Sequence, residues 1–472
     1  MISSQIVLPD RLLELRSILP EMIRYLEERL PYAAALVVQE AGSSLRIDYK
    51  HEEFSEKTPR RGIVFTLFNG RFFQEWASDR LDIDYLWDKV RHIRRLLDDA
   101  PVAEPRFSVH PGEPARAHFT TPFEIDPDQV SLEDMVRACH DLIDQVSRMD
   151  SKLVNIHVSY DDGKEYRVFV NRSKVLSCCL TLCNIRLVCA GFHHGVTRLN
   201  QMGAGGVTGF EAIHFQEERL REMIDDLNLL FESTPLTPGR YHVVSSPEVS
   251  GILAHEAFGH GVEADMYVKG RAKAAEFMGK RVASPLVNMV DDPSISGLYG
   301  TYYFDDEGQL AAPTIIIRNG ILERSLTDLR SAAVLGLPRT ANGRRESFER
   351  KVYARMSNTY FDKGVDSFED MIASIDHGLY LKKSSSGMED PRGWGIQVGI
   401  DLAHEIKGGR LTSKVYAPMT ITGYVPEVLE SITMVGDELG FLGPGGMCGK
   451  GHKEMVRVSA GGPHLRFTAR LG

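Results

Sequence analysis

Near the middle of the chain two histidines bracket a glutamate in His255-Glu256-Ala257-Phe258-Gly259-His260. Imidazole binds divalent metals and a neighbouring carboxylate can take a proton from water, so these residue types suit hydrolysis at a metal ion. The spacing is H-E-x-x-x-H, one residue longer than H-E-x-x-H. In a regular helix, residues four apart lie about 40° apart around the axis and residues five apart about 140°, so His255 and His260 cannot share an ion from an undistorted helix. A π-type widening brings i and i+5 onto one face, and Gly259 makes that distortion, or a helix end, cheap. The expectation is irregular backbone between Glu256 and His260.

A third ligand is needed, and Cys448 is the best candidate. It lies in Gly443-Pro444-Gly445-Gly446-Met447-Cys448-Gly449-Lys450-Gly451-His452, where glycines let the backbone approach a site closely. Thiolate is a strong zinc ligand, at about 2.3 Å. His452 is a rival. A phosphate-cradling reading of Gly449-Lys450 fails twice, because Pro444 replaces the first glycine of the motif and Gly451 its hydroxyl residue. Zn²⁺ on His255, His260 and Cys448 would leave a fourth position for water and lower that water's pKa from about 15.7 toward 7. Glu256 would accept the proton and pass it to the leaving amine. Glu263 and Asp265 are read as groups that orient the imidazoles from behind, with direct ligation or plain surface exposure as alternatives.

These motifs, with Asn342-Gly343-Arg344-Arg345, Arg355-Met356-Ser357-Asn358-Thr359-Tyr360 and Gly446-Met447-Cys448-Gly449-Lys450, resemble the TldD branch of the TldD/PmbA metallopeptidases. The likeness is detailed from Pro238 to the end and looser from Leu153. It implies a catalytic subunit that cleaves short or unfolded peptides inside an enclosed cavity. It also implies a dimer, usually with a PmbA/TldE-like sister lacking the metal motif; whether this chain pairs with that sister or with itself stays open. Arg344, Arg345, Arg355 and Asn358 could grip a peptide's carboxylate or backbone, or could tie loops together by ion pairs. A peptide could also add as a strand to an accessible sheet edge. Two rival functions remain: a non-catalytic regulator of the DNA gyrase modulator type, and a structural zinc site closed by His452 or Glu263.

The elements that position these residues follow from local pattern. Ser246 can cap a helix whose first position is Pro247 and whose first turn carries Glu248, after a short strand at 241–244. Beyond it the pattern is mostly β, with hairpins at Asn319-Gly320 and Gly408-Gly409 and a helix at 368–375. Earlier, helices are expected around Leu12–Leu26, at 84–97 and from Ser131, with strands at 34–38, 63–68, 154–158, 166–170 and 175–189 and a turn at Asp161-Asp162-Gly163. Residues 210–230 read as one helix. Prolines recur between 100 and 128 as in an extended connector. The organisation expected is a lobe at 1–99, a connector at 100–128, a middle lobe at 129–235 and a metal-binding catalytic domain at 236–472. The class is α+β, with antiparallel strands in the N-terminal lobes and a partly closed sheet in the β-rich C-terminal domain.

Composition is that of a globular protein, with 43% hydrophobic and 25% charged residues. The net charge of -10 argues against nucleic-acid binding as the main task. No apolar run is long enough to span a bilayer, and Met1–Gln5 lack the features of a signal peptide, so a cytoplasmic location is expected. Cys178, Cys179, Cys183 and Cys189 match no metal spacing and read as buried side chains of a core strand, and Cys139 as one on a helix. Gly203–Gly209 lacks the third glycine of a dinucleotide loop.

Overall fold

The computed structural model describes residues 8–98, 106–444, 446–451 and 454–472. Met1–Gln5 and His452 therefore lie outside the described residues. The fold is α+β, as the sequence pattern requires.

Strands from either side of the proline-rich stretch share one sheet. Its order is Phe73–Ser78, Glu52–Phe68, Tyr32–Ile47, Leu153–Asn171, Lys174–His193 and Ala115–Thr120, with Val196–Gly206 also pairing to Lys174–His193. Alternation along Tyr32–Ile47 explains how both faces are covered. Ala33, Ala35 and Val37 meet the helices Asp10–Glu27 and Ile83–Asp98, while Ala34, Leu36 and Val38 meet Tyr302, Phe304 and Leu329 from the C-terminal half. The far ends of the long strands pack under the helices Leu132–Ser147 and Glu217–Glu232.

Three local expectations are corrected here. Asp161-Asp162-Gly163 is not a turn, because the strand Leu153–Asn171 runs straight through it. Asp162 instead accepts the Ser43 N–H at 2.8 Å and the Ser43 hydroxyl at 2.9 Å, so the polar pair serves the neighbouring strand. The helix read over 210–230 is a 3-10 turn at Phe210–Ile213 followed by Glu217–Glu232. Within the connector, Ala115–Thr120 is extended but also hydrogen-bonded into the sheet, parallel to Lys174–His193. The cysteine-rich segment is the core strand its apolar pattern indicates, and Gly203–Gly206 is the end of a strand rather than a phosphate loop.

In the C-terminal half five strands close on themselves. Gly239–Ser245 pairs with His377–Asp390 and with Leu465–Leu471; Met419–Tyr424 pairs with the latter, and Gly395–Lys407 joins Met419–Tyr424 back to His377–Asp390. The expected partly closed sheet is thus a closed five-stranded barrel. The Asn319-Gly320 and Gly408-Gly409 hairpins form with positive φ at both central residues, 48° and 77° in the first and 57° and 71° in the second. A six-stranded sheet lies beside the barrel and includes Met289–Asp291, Asn358–Phe361 and Ser459–Gly462. Among the described residues no helix is long and apolar enough to cross a membrane.

Candidate metal centre

The barrel strand Gly239–Ser245 passes directly into the helix Pro247–Ala254, capped by Ser246, whose hydroxyl accepts the Val249 N–H at 3.2 Å. This helix lies against the six-stranded sheet at van der Waals contact. A Cβ on Gly251 would stand 2.7 Å from Gly461 N and 2.8 Å from Ala460 C, so only glycine permits the approach. The helix then widens into a π turn over His255–Gly259 and tightens into a 3-10 turn over His260–Val262. The irregular backbone expected from the five-residue spacing is present, as a widening rather than a helix end. Gly259 supports it for a different reason from the one expected: its backbone is ordinary αR at φ -62°, and a Cβ there would collide with the Met356 sulfur.

As a result His255 and His260 face each other, with ring centroids 5.2 Å apart and planes at 86°. Cys448 arrives from a two-stranded ribbon, Met447–Lys450 paired with Glu454–Arg457, and places its sulfur 3.3 Å from His260 Nε2. Donor atoms of all three residues lie within 4.8 Å of one another, the one such group among the described residues. Two ligands at zinc–nitrogen and zinc–sulfur distances and a tetrahedral angle are about 3.5 Å apart, close to the separation seen. Burial alone raises the Cys448 thiol, but the adjoining His255 and His260 more than reverse this and hold it well below its ordinary value. The donor set is thus two imidazoles and a thiolate, which fits zinc.

Glu256 sits half-buried on the π turn, its stem filling the space left by Gly387, where a Cβ would collide with Glu256 Cγ. Glu263 meets His260 from behind, its Oε2 3.2 Å from Nδ1, which leaves Nε2 facing Cys448. Asp265 has no such contact with an imidazole; it pairs with Lys450 and, at 3.0 Å, with Lys269. It therefore acts on the histidines only through Lys450. Burial lowers the His260 pKa, but Glu263 and Cys448 more than offset this and hold it well above its ordinary value.

The four residues read as a peptide grip are placed otherwise. Arg344 donates to the carbonyls of Met356 at 2.6 Å and Arg457 at 2.8 Å. Arg345 pairs with Glu75 at 2.7 Å across to the N-terminal sheet. Arg355 reaches the carbonyls of Cys448 and Glu454, and Asn358 donates to the Asp292 carbonyl at 2.7 Å and the Thr301 hydroxyl at 3.2 Å. All four are buried. Buried Asp291 gathers this region, accepting from Asn342, Ser357 and Thr359. Most of the bonds the four side chains make go to main-chain carbonyls of loops under the centre, with ion pairs from Arg345 to Glu75 and from Arg355 to Glu263.

Two residues near the centre escaped the sequence reading. Lys450 was visible, two residues from Cys448 and hence on the same strand face, a signal that alternation supplies. Glu389 had no local signal. It accepts the Gly261 N–H at 2.8 Å, one residue past His260, and burial pushes its carboxyl well up. Space for a substrate flanks the 443–444 loop: a cleft of about 800 Å³ bounded by Arg186, Tyr299, Met447 and Arg457, and a groove of about 500 Å³ along Glu248, Ile252, Ser384 and Ser385.

The chain is similar to known metalloproteases in sequence and to solved structures in fold. Residues 238–470 match the family model described as PmbA/TldA metallopeptidase C-terminal domain. The chain is 32% identical over 320 residues to a metalloprotease of Methanothermobacter thermautotrophicus, covering 67% of this chain and 69% of that one. It is 33% identical over 241 residues to a zinc metalloprotease TldD homolog of Saccharolobus solfataricus, covering 51% and 53%. In fold it is similar to a putative modulator of a DNA gyrase from Thermotoga maritima, with TM-score 0.77 at 15% identity over 98% of this chain and all of that one. It is also similar to TldE from Thermococcus kodakarensis, with TM-score 0.74 at 15% identity over 96% and 99%.

Proposed function

Because the chain belongs to the PmbA/TldD metallopeptidase family, we propose that it is a zinc peptidase acting on short or unfolded peptides. The observation that carries this reading is the meeting of Cys448 with two histidines about 190 positions earlier in the chain, beside a half-buried glutamate. His255, His260 and Cys448 would hold the ion, which supplies a Lewis acid and an acidified water when bound.

Glu256 takes the water's proton and returns it to the leaving amine. Glu263 holds His260 in the tautomer that offers Nε2. The strand His377–Asp390 pairs with Gly239–Ser245 only through residues 378–381, and its later part passes Glu256 and the groove along Ile252. An extended peptide adds there through main-chain bonds, which gives little sequence preference. A partner subunit of the TldE kind, or a second copy of this chain, encloses the site. Five cysteines are buried thiols with raised pKa values, which suits a reducing, cytoplasmic setting.

The test is metal content and hydrolysis of an unfolded peptide by the wild type and Glu256→Gln. The variant keeps its zinc and loses about 10²–10⁴-fold in kcat. Full activity in the variant overturns the mechanism. Zinc in both proteins with activity in neither, even with a TldE-type partner added, favours the regulator reading.

A further inference from the structure

Among the described residues the two strands of the ribbon that carries Cys448 pair only with each other. The strand Glu454–Arg457 continues into Ser459–Gly462 of the six-stranded sheet, which anchors the ribbon at its base and leaves the end that bears Cys448 and Lys450 to be fixed by side chains. Cys448 and Lys450, two apart on one strand, enter the same crevice. The Lys450 ammonium there donates to Glu263 Oε2 at 2.9 Å, to the Ala354 carbonyl at 3.1 Å and to Asp265 Oδ1, with the side chain only 10% exposed. The oxygen it meets on Glu263 is the one that faces His260 Nδ1. A closed circuit results: Cys448 to Lys450 along the strand, Lys450 to Glu263, Glu263 to His260, and His260 Nε2 back to the Cys448 sulfur at 3.3 Å.

The geometry points to Lys450 as a positioning residue that fastens the ribbon to the histidine helix, so that Cys448 and His260 are set at ligating distance before any ion arrives. The inference rests on the zinc reading above and adds how the third ligand is delivered. Lysine suits the role because one compact charge with three donors can serve three acceptors converging on one atom. Arg355 assists from the other side, holding the Cys448 and Glu454 carbonyls and standing 3.5 Å from the second carboxylate oxygen of Glu263, Oε1, which Lys450 does not meet.

The test measures zinc affinity by competition with a chromogenic chelator, and the thiolate-to-cobalt charge-transfer band of the Co²⁺-loaded protein, in wild type, Lys450→Met and Lys450→Arg. Lys450→Met weakens zinc binding by about 10–100-fold and diminishes the band; Lys450→Arg, which keeps charge and reach, recovers most of both. A Met variant within threefold of wild type, with the band intact, overturns the inference. If Lys450→Met does not fold by circular dichroism, the double variant Lys450→Met/Asp265→Asn removes one buried acid with the base and is read the same way. A wild type that binds no zinc overturns the metal reading itself, whereas zinc binding insensitive to Lys450 overturns only the fastening.

Discussion

The two sides of the candidate centre are built differently. The histidines stand on a helix wedged between a closed barrel and a second sheet, where Val249, Leu253, Ala257 and Phe258 are wholly buried and Gly251 touches backbone. The cysteine stands on a two-stranded ribbon held by side chains: Lys450 and Arg355 at the site, Arg457 on Glu165 at 2.9 Å across to the N-terminal sheet, and Tyr299 on the Met447 sulfur. Packing dominates the first side, whereas the second adds charged anchors to the packing of Val456 and Val458. Close-packed cores respond to any change in volume, whereas polar anchors respond to loss of a partner or to acid.

The largest expected effect is common to both sides. His260→Ala and Cys448→Ala should each abolish tight zinc binding, by more than about 10³-fold, in a chelator competition. What separates them is the unfolding midpoint of the metal-free proteins. His260→Ala leaves Glu263 short of a buried partner and should cost about 1–3 kcal/mol. Cys448→Ala should cost less, and equal losses would break the comparison.

Next comes Gly251→Ala. Its new Cβ meets backbone atoms that cannot yield, so denaturant melts should show a loss of about 1–3 kcal/mol, while the folded fraction still binds zinc normally. A loss of zinc affinity with unchanged stability would reverse the assignment of packing to the helix side.

Acid probes the ribbon side. Burial raises the Glu165 carboxyl, but Arg167 and Arg457 more than offset this and hold it at about 2 against an ordinary 4.5. A carboxyl depressed on folding stabilises the protein above its unfolded pKa, and that contribution is lost as pH falls from 4.5 through about 2. Glu165→Gln should therefore be less stable than wild type at pH 7, with the difference shrinking in acid melts over that window. A constant difference would show that the carboxylate's charge does not anchor the ribbon. The smallest effect belongs to Tyr299→Phe, which gives up a 3.9 Å contact to sulfur and should change zinc affinity less than about twofold.

Legibility followed range. Helix caps, the Asn319-Gly320 hairpin and the cysteine-bearing core strand were readable because the information is local: a hydroxyl before a proline, two residues needing positive φ, an unbroken apolar run. The turn expected at Asp161-Asp162-Gly163 failed because Ser43, far away in sequence, takes up the aspartate's hydrogen bonds and keeps the strand straight. Arg344 and Arg355 could be read either as substrate contacts or as loop ties because arginine is chemically able to make both, and nothing nearby in sequence showed which main-chain carbonyls they would meet.

The sequence by itself determined the chemistry available and the need for irregular backbone between the histidines: two histidines five apart can share an ion in no regular helix, whatever surrounds them. Only the tertiary structure decided how the third ligand reaches them and what the neighbouring charges do. Glu263, Lys450, Arg355 and Glu389 come from four separate stretches of chain and take their roles from partners distant in sequence. Burial makes those pairings obligatory, and no one-dimensional spacing records which partners the fold brings together.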